Sequence, residues 1–310
     1  MIPVFVGAQQ AAQYSLYTFN TIQYNPAYAG LDNSLSITGG LRRQWVGLEG
    51  SPFTQYINAH MPMYYLRGGA GISFENDALG AEQFTSVLLS YNYQIETGSG
   101  VWALGIGGGW VQRTLDGQKL RTPEGQYTEP GVIDHEDDLL PLGIETASVT
   151  TFTAGLYYQS EKIEGGIGVR HLTEPKTPLG QLNLELSRTY FFNLGFHFDL
   201  NGSFTLHPSL LVQSDLAQTQ AQAGVMVKYN DNIFGGAAFR GYSNKTIDAA
   251  ILMAGFKLSE KITLAYAYDL TLSGLSSVSN GSHEIVLNYN LGKRIGAGRP
   301  PRIIYNPRSL

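Results

Sequence analysis

The chain contains no cysteine. That excludes disulfides, thiolate nucleophiles and Cys-based zinc sites, and it is compatible with an oxidising compartment. Charge is scarce: Asp, Glu, Lys and Arg make up 15% of the residues, against roughly 25% in soluble globular domains. The net charge of −5 argues against general nucleic-acid binding, which needs a basic surface to neutralise phosphates. No uninterrupted apolar run approaches the ~18 residues of a membrane-spanning helix. Also missing is any Ser, Thr or Asp with an orienting base at recognisable spacing, although there are six histidines. The sequence therefore reads as a non-enzyme with no cofactor and no assigned metal.

Glycine (37) and tyrosine (19) are used heavily. The stretch Phe256–Leu272 displays the pattern that recurs along the chain. From Ile262 one alternate set reads Ile262, Leu264, Tyr266, Tyr268, Leu270, Leu272, and the other Thr263, Ala265, Ala267, Asp269, Thr271. A period of two gives a strand with one large apolar face and one small polar face. Extended runs of this kind fall at 34–45, 54–61, 67–75, 81–96, 100–114, 147–159 and 162–171. Seven more follow at 182–200, 203–215, 219–230, 232–242, 247–258, 262–272 and 282–292. Fourteen is an even count, as single-chain bacterial barrels require, and most runs exceed the ~9–11 residues a tilted strand needs to cross a bilayer.

The connections carry more information than the runs. Tight ones (Glu96–Gly100, Ser160-Glu161, Asn201-Gly202, Asn230–Asn232, Ser259–Lys261) alternate with long ones (Leu115–Thr146, Leu172–Gln181, Ser273–Gly281). Short periplasmic turns and longer extracellular loops alternate in this way in outer-membrane barrels, whereas a soluble β-sandwich has no reason to do so. Aromatics beside the tight turns (Tyr91, Tyr93, Tyr157, Phe198, Phe204, Tyr229, Phe256) suit a headgroup-level girdle. The fold class is thus all-β: a transmembrane antiparallel up-and-down β-barrel of about 14 strands, in the outer membrane of a Gram-negative bacterium with both termini periplasmic.

The sequence divides into four parts. Residues 1–8 (MIPVFVGA) resemble the apolar core and cleavage site of a signal peptide without its basic start. Residues 9–33 form an aromatic lead-in on the periplasmic side, with no charge between Gln9 and Leu31. The barrel occupies 34–292, and 293–310 is a basic periplasmic tail carrying Arg299, Arg302 and Arg308. Two further groups stand out. The acidic loop Leu115–Thr146, with Asp134, Glu136, Asp137 and Asp138, is a candidate surface for an exported protein; its carboxylates at 135–138 are of the kind Ca²⁺ takes, but without EF-hand or nonapeptide spacing the run reads as a solvated loop. His197 and His207 flank the Asn201-Gly202 turn beside Asp199, as a metal or pH-sensing pair or as ordinary lumen lining. Gly105–Gly109 lies mid-strand with no helix after it, so it is not a phosphate loop.

Tyr24-Asn25-Pro26-Ala27-Tyr28-Ala29-Gly30, followed by Arg42-Arg43-Gln44-Trp45-Val46-Gly47 and Gly50-Ser51-Pro52, resembles the opening of the PorP/SprF family. These are outer-membrane proteins of the type IX secretion and gliding motility systems of Bacteroidetes. The resemblance implies a component that delivers or anchors exported cell-surface proteins, often adhesins with a C-terminal sorting domain. It further implies partners among the periplasmic ring lipoprotein and peptidoglycan-binding proteins of that system. Asn25, Pro26, Ala27, Tyr28, Gly30, Arg43, Gln44, Trp45 and Gly47 become signature and partner-binding candidates. On this reading the long loops face the cargo, and the lead-in and tail face the periplasm. A passive porin or hydrophobic-solute channel is the competing function.

Overall fold

The computed structural model of the protein describes residues 12–127, 133–243 and 246–292. The expected signal-peptide remnant and the basic tail, with Arg299, Arg302 and Arg308, lie outside them.

In chain order the strands are β1 (Ser36–Arg43), β2 (Phe53–Met63), β3 (Gly68–Leu79), β4 (Glu82–Glu96), β5 (Val101–Asp116), β6 (Ile144–Gln159) and β7 (Ile163–Arg170). They continue with β8 (Lys176–Leu179), β9 (Leu182–Glu185), β10 (Thr189–Phe196), β11 (Phe198–Asp199), β12 (Phe204–Ser214) and β13 (Thr219–Tyr229). The last four are β14 (Ile233–Arg240), β15 (Ala249–Ser259), β16 (Ile262–Thr271) and β17 (Ser282–Asn290). β8 and β9 form a separate hairpin, and β11 continues β10 after a one-residue break. The other fourteen pair antiparallel with their neighbours, β7 with β10 across the gap left by β8 and β9, β10 with β12, and β1 with β17 to close the ring. Closure leaves no sheet edge, which is the condition for a sheet to live in lipid.

Side-chain alternation separates the two environments. On β16, Ala265, Ala267, Asp269 and Thr271 are buried inside, while Tyr266 and Leu270 are exposed outside. Leu41, Ile57, Leu89, Leu104, Ile106, Trp110, Phe152, Ile167 and Leu252 continue the exposed apolar band around the wall. The girdle residues Tyr93, Phe198, Phe204, Tyr229 and Phe256 are on this outer face. Tyr157 is not: it is 1% exposed and points into the lumen, where its ring meets Tyr28 edge-on at 5.2 Å.

The tight turns named from the sequence sit at one end, and the β2–β3 turn there is shorter than the sequence suggests because β2 runs on to Met63. The long loops sit at the other end, together with two tight links, Gly80-Ala81 and 215–218. One strand boundary differs markedly. The run expected at 182–200 is two elements, because Leu182–Glu185 pairs with Lys176–Leu179 and only residues from Thr189 join the wall. The alternating LNLE fits either use. This hairpin buries Leu179 against Leu115 and Ala147 on the long ends of β5 and β6. Those two strands have 16 residues each, well beyond the ~9–11 a bilayer requires.

The main departure is the lead-in. Expected as a periplasmic segment, its described part runs inside the barrel. Of residues 14–31 only Thr18, Phe19 and Tyr28 are not buried. The principal apolar core lies between this segment and the wall, where Leu16, Tyr17 and Tyr24 meet Tyr56, Phe191, Met226, Phe234 and Ile251. A stretch without charge but rich in tyrosine can fill a lumen: its rings supply apolar area and its hydroxyls reach polar wall groups.

Candidate functional site

The site built by the fold is the luminal plug, and it is held at three levels. Ser15 marks the level nearest the long loops. Its hydroxyl donates to Asp269 (2.7 Å to Oδ1) and accepts from Arg42 Nη1 (2.8 Å) and Arg240 Nη2 (2.6 Å). A hydroxyl has one donor and two acceptor sites, so all three are in use. Its backbone N–H donates to Glu284 Oε2 (2.6 Å), and its carbonyl accepts from Gln222 Nε2 (2.9 Å). The wall charges pair with each other: Arg42 with Asp269 (2.7 Å) and Glu284 (3.2 Å), Arg240 with Asp269 (2.9 Å) and Asp248 (3.2 Å). Arg42 and Glu284 are 0% exposed. Buried charges survive only when paired and hydrogen-bonded, and here the plug serine completes the set.

At the middle level Tyr14 and Gln23 both donate to Glu75, which also faces Arg170 at 3.7 Å. Tyr17 donates to Ser209 (2.8 Å), and burial pushes its phenol pKa up to about 12. Tyr24 stacks on Phe191 with ring centroids 5.6 Å apart.

Near the short turns the Asn25–Gly30 motif takes over. The Asn25 carboxamide Oδ1 accepts from Ala27 N–H (3.0 Å), capping the short 3₁₀ turn Pro26–Tyr28, with Pro26 at its first position. The Nδ2 of Asn25 donates to the carbonyls of Leu156 (3.2 Å) and Ile167 (3.1 Å). The wall facing the motif is glycine. A Cβ at Gly105 would come within 2.2 Å of Ala27 N, and one at Gly155 within 2.1 Å of Asn25 Oδ1. Gly105 and Gly155 thus form part of the bed of the plug. Gly30 (φ +74) donates its N–H to His60 Nδ1 (3.1 Å), and Tyr28 donates to Asp32 (2.8 Å).

The remaining sequence candidates fall elsewhere. Arg43 ends β1 on the outer face, over the Phe53 ring at 5.6 Å. Gln44, Trp45 and Gly47 form the first long-end loop, where Trp45 N–H donates to Ser282 Oγ (3.1 Å) and Gly47 (φ +101) abuts Asn280. Arg42, one position before this set, is the residue that reaches the plug. Asp134, Glu136, Asp137 and Asp138 are exposed in the long β5–β6 loop. Asp134 accepts from Glu136 N–H (2.9 Å) and Asp137 from Leu139 N–H (2.9 Å), so these two carboxylates cap turns. Among the described residues these acids do not converge as a three-donor group. Sequence reasoning missed Ser15, Arg240 and Glu164: Ser15 and Arg240 meet across more than two hundred positions, and Glu164 meets its histidines only across neighbouring strands.

At the short-turn end the plug leaves a cavity of about 440 Å³. Lys228, Lys257 and Lys261 line it, with Glu260 and with Asp32, which is already engaged by Tyr28 and His60.

The family of the type IX secretion system membrane protein PorP/SprF matches residues 6–289 of the chain. This chain is a PorP/SprF protein. The match covers the plug and the barrel up to the penultimate residue of β17, but not the tail. Among solved structures, this PorP/SprF barrel is similar to the monoaromatic hydrocarbon channel CymD, with 14% identity, a TM-score of 0.50, and coverage of 87% of this chain and 91% of that one. It is also similar to the outer membrane protein Omp33 of Acinetobacter baumannii, with 4% identity, a TM-score of 0.48, and 83% and 97% of the two chains covered. At such identities the likeness speaks to fold alone. No curated protein matches the PorP/SprF chain by sequence.

Proposed function

We propose that this barrel delivers or anchors exported surface proteins for type IX secretion, as a plugged scaffold and not as a pore. The observation that carries the reading is the plug: a wall of charged and polar side chains that could conduct ions is spent on binding Ser15, Glu75's partners and the Asn25–Gly30 turn. An open aqueous pore would leave those wall groups to water and ions.

On this reading the long-loop end faces outward. The acidic β5–β6 loop with Asp134, Glu136, Asp137 and Asp138, and the β8–β9 hairpin beside it, receive the cargo. The short-turn end faces the periplasm, where the lysine-lined cavity and Arg299, Arg302 and Arg308 of the tail suit acidic segments of the periplasmic machinery. The signature residues Asn25–Gly30 then act indirectly, by seating the plug that shapes this end.

Affinity purification from the native envelope in mild detergent tests the proposal. Recovery of an exported surface protein, or of periplasmic secretion components, is expected. Recovery of the barrel by itself would sink it.

A further inference from the structure

Pro208 on β12 lies where a partner for Phe196 would be, and it has no N–H to donate. The β10–β12 ladder stops at Gly195–Ser209 and resumes at Phe198–Leu206 in the same register. His197 and His207 fall opposite each other in that gap. Their rings lie parallel, with centroids 4.3 Å apart, the separation expected of a cross-strand pair.

A third residue, from the other neighbouring strand, meets them. Glu164 on β7 pairs with Gly195, and its Oε1 lies 3.4 Å from His197 Nε2 and 3.2 Å from His207 Nε2. Tyr157 donates to its other oxygen at 3.4 Å, and Asn193 donates to Tyr157 at 3.3 Å. Gly195 keeps the space open: a Cβ there would sit 2.9 Å from His207 Nε2 and 3.2 Å from Glu164 Oε1. Asp199, the ligand suggested by sequence, does not join; it caps the next turn through Gly202 N–H.

We infer that Glu164, His197 and His207 form a binding site for a divalent transition metal of the zinc class. Two imidazoles and one carboxylate are the donor set of a zinc site that keeps one position for water. Bonds of about 2.0–2.1 Å in a tetrahedron give donor-to-donor edges of roughly 3.3–3.4 Å, and the two nitrogen-to-oxygen separations already match. The parallel rings must fan apart to aim both Nε2 lone pairs at one ion. His197 is the ring placed to tilt, being 31% exposed where Glu164 and His207 are 18% and 6%. The hydrogen bond from Tyr157 orients the carboxylate from behind, as outer-shell partners of metal ligands do. An ion here ties β7, β10 and β12 together where the ladder is broken. The inference does not depend on which cargo the barrel serves.

The test is zinc binding by the full chain in detergent after chelator treatment, read by competition with a chromophoric indicator and by Co²⁺ absorption. The wild type is expected to bind one ion and to give the intense visible bands of tetrahedral Co²⁺. E164Q, H197A and H207A are each expected to weaken binding about tenfold or more and to lose those bands. Retained heat-modifiable migration on gels shows that a variant is folded, and H197A, the most exposed change, serves as the variant least able to disturb the wall. If the wild type binds no zinc, or if H197A binds it unchanged with the same Co²⁺ spectrum, the three residues are a hydrogen-bonded cluster only and the inference falls.

Discussion

At the residue scale, Ser15 and Arg42 decide whether the plug holds. Removing one member of a buried charge set leaves the others unpaired in a site without bulk water, which costs about 3–5 kcal/mol. Arg42→Ala strips Asp269 and Glu284 of a shared cation. Urea unfolding in lipid vesicles should register a loss of that order, and a change under about 1 kcal/mol would show that the network is solvated. Tyr17 gives a pH test. Its phenol titrates near 12 in the folded barrel because burial disfavours the phenolate, against roughly 10 in the unfolded chain. The folded state therefore holds the proton more tightly, so this contribution is complete below about pH 10 and is lost as pH rises toward 12. Tyr17→Phe should flatten that part of the stability profile, and an unchanged alkaline limb would place the burden on other groups.

At the scale of elements, the plug is expected to be what closes the lumen. Planar-bilayer recordings of the intact protein should be electrically quiet. Deleting residues 12–33, or combining Arg42→Ala with Arg240→Ala, should yield steady conductance. A large steady current from the intact chain would restore the porin reading. The elements also show how far a sequence can be read. Period-two alternation located the fourteen strands because every one faces apolar lipid on one side and a polar, filled lumen on the other. The same rule misplaced the start of β10, since Leu182–Glu185 alternates just as well in a loop hairpin. It said nothing about the plug, which has no period to detect. Ser15 meets Asp269 and Glu284, residues more than 250 positions onward, and no local pattern encodes such a meeting. Glu164 was invisible for a related reason: its match to two histidines exists only once β7, β10 and β12 stand side by side.

At the scale of the whole molecule, orientation is the open arm of the proposal, and the absence of cysteine makes it easy to probe. A single cysteine replacing Glu136 in the long loop should react with a membrane-impermeant maleimide on intact cells. One replacing Glu161 in a short turn should react only after the envelope is opened. The reverse pattern would turn the barrel over and move the cargo face to the other end.

The ring closes between the first strand and the last, and Arg42 and Glu284 sit directly opposite each other on that seam. Ser15, ahead of β1, thus has no carboxylate to grip until Asp269 and Glu284, on the last two strands of the ring, have come round the circle. A half-built cylinder has nowhere to seat its own stopper. Completion of the wall and corking of the bore become a single event, and an unfinished copy can be told from a finished one by whether its first strand has met its last.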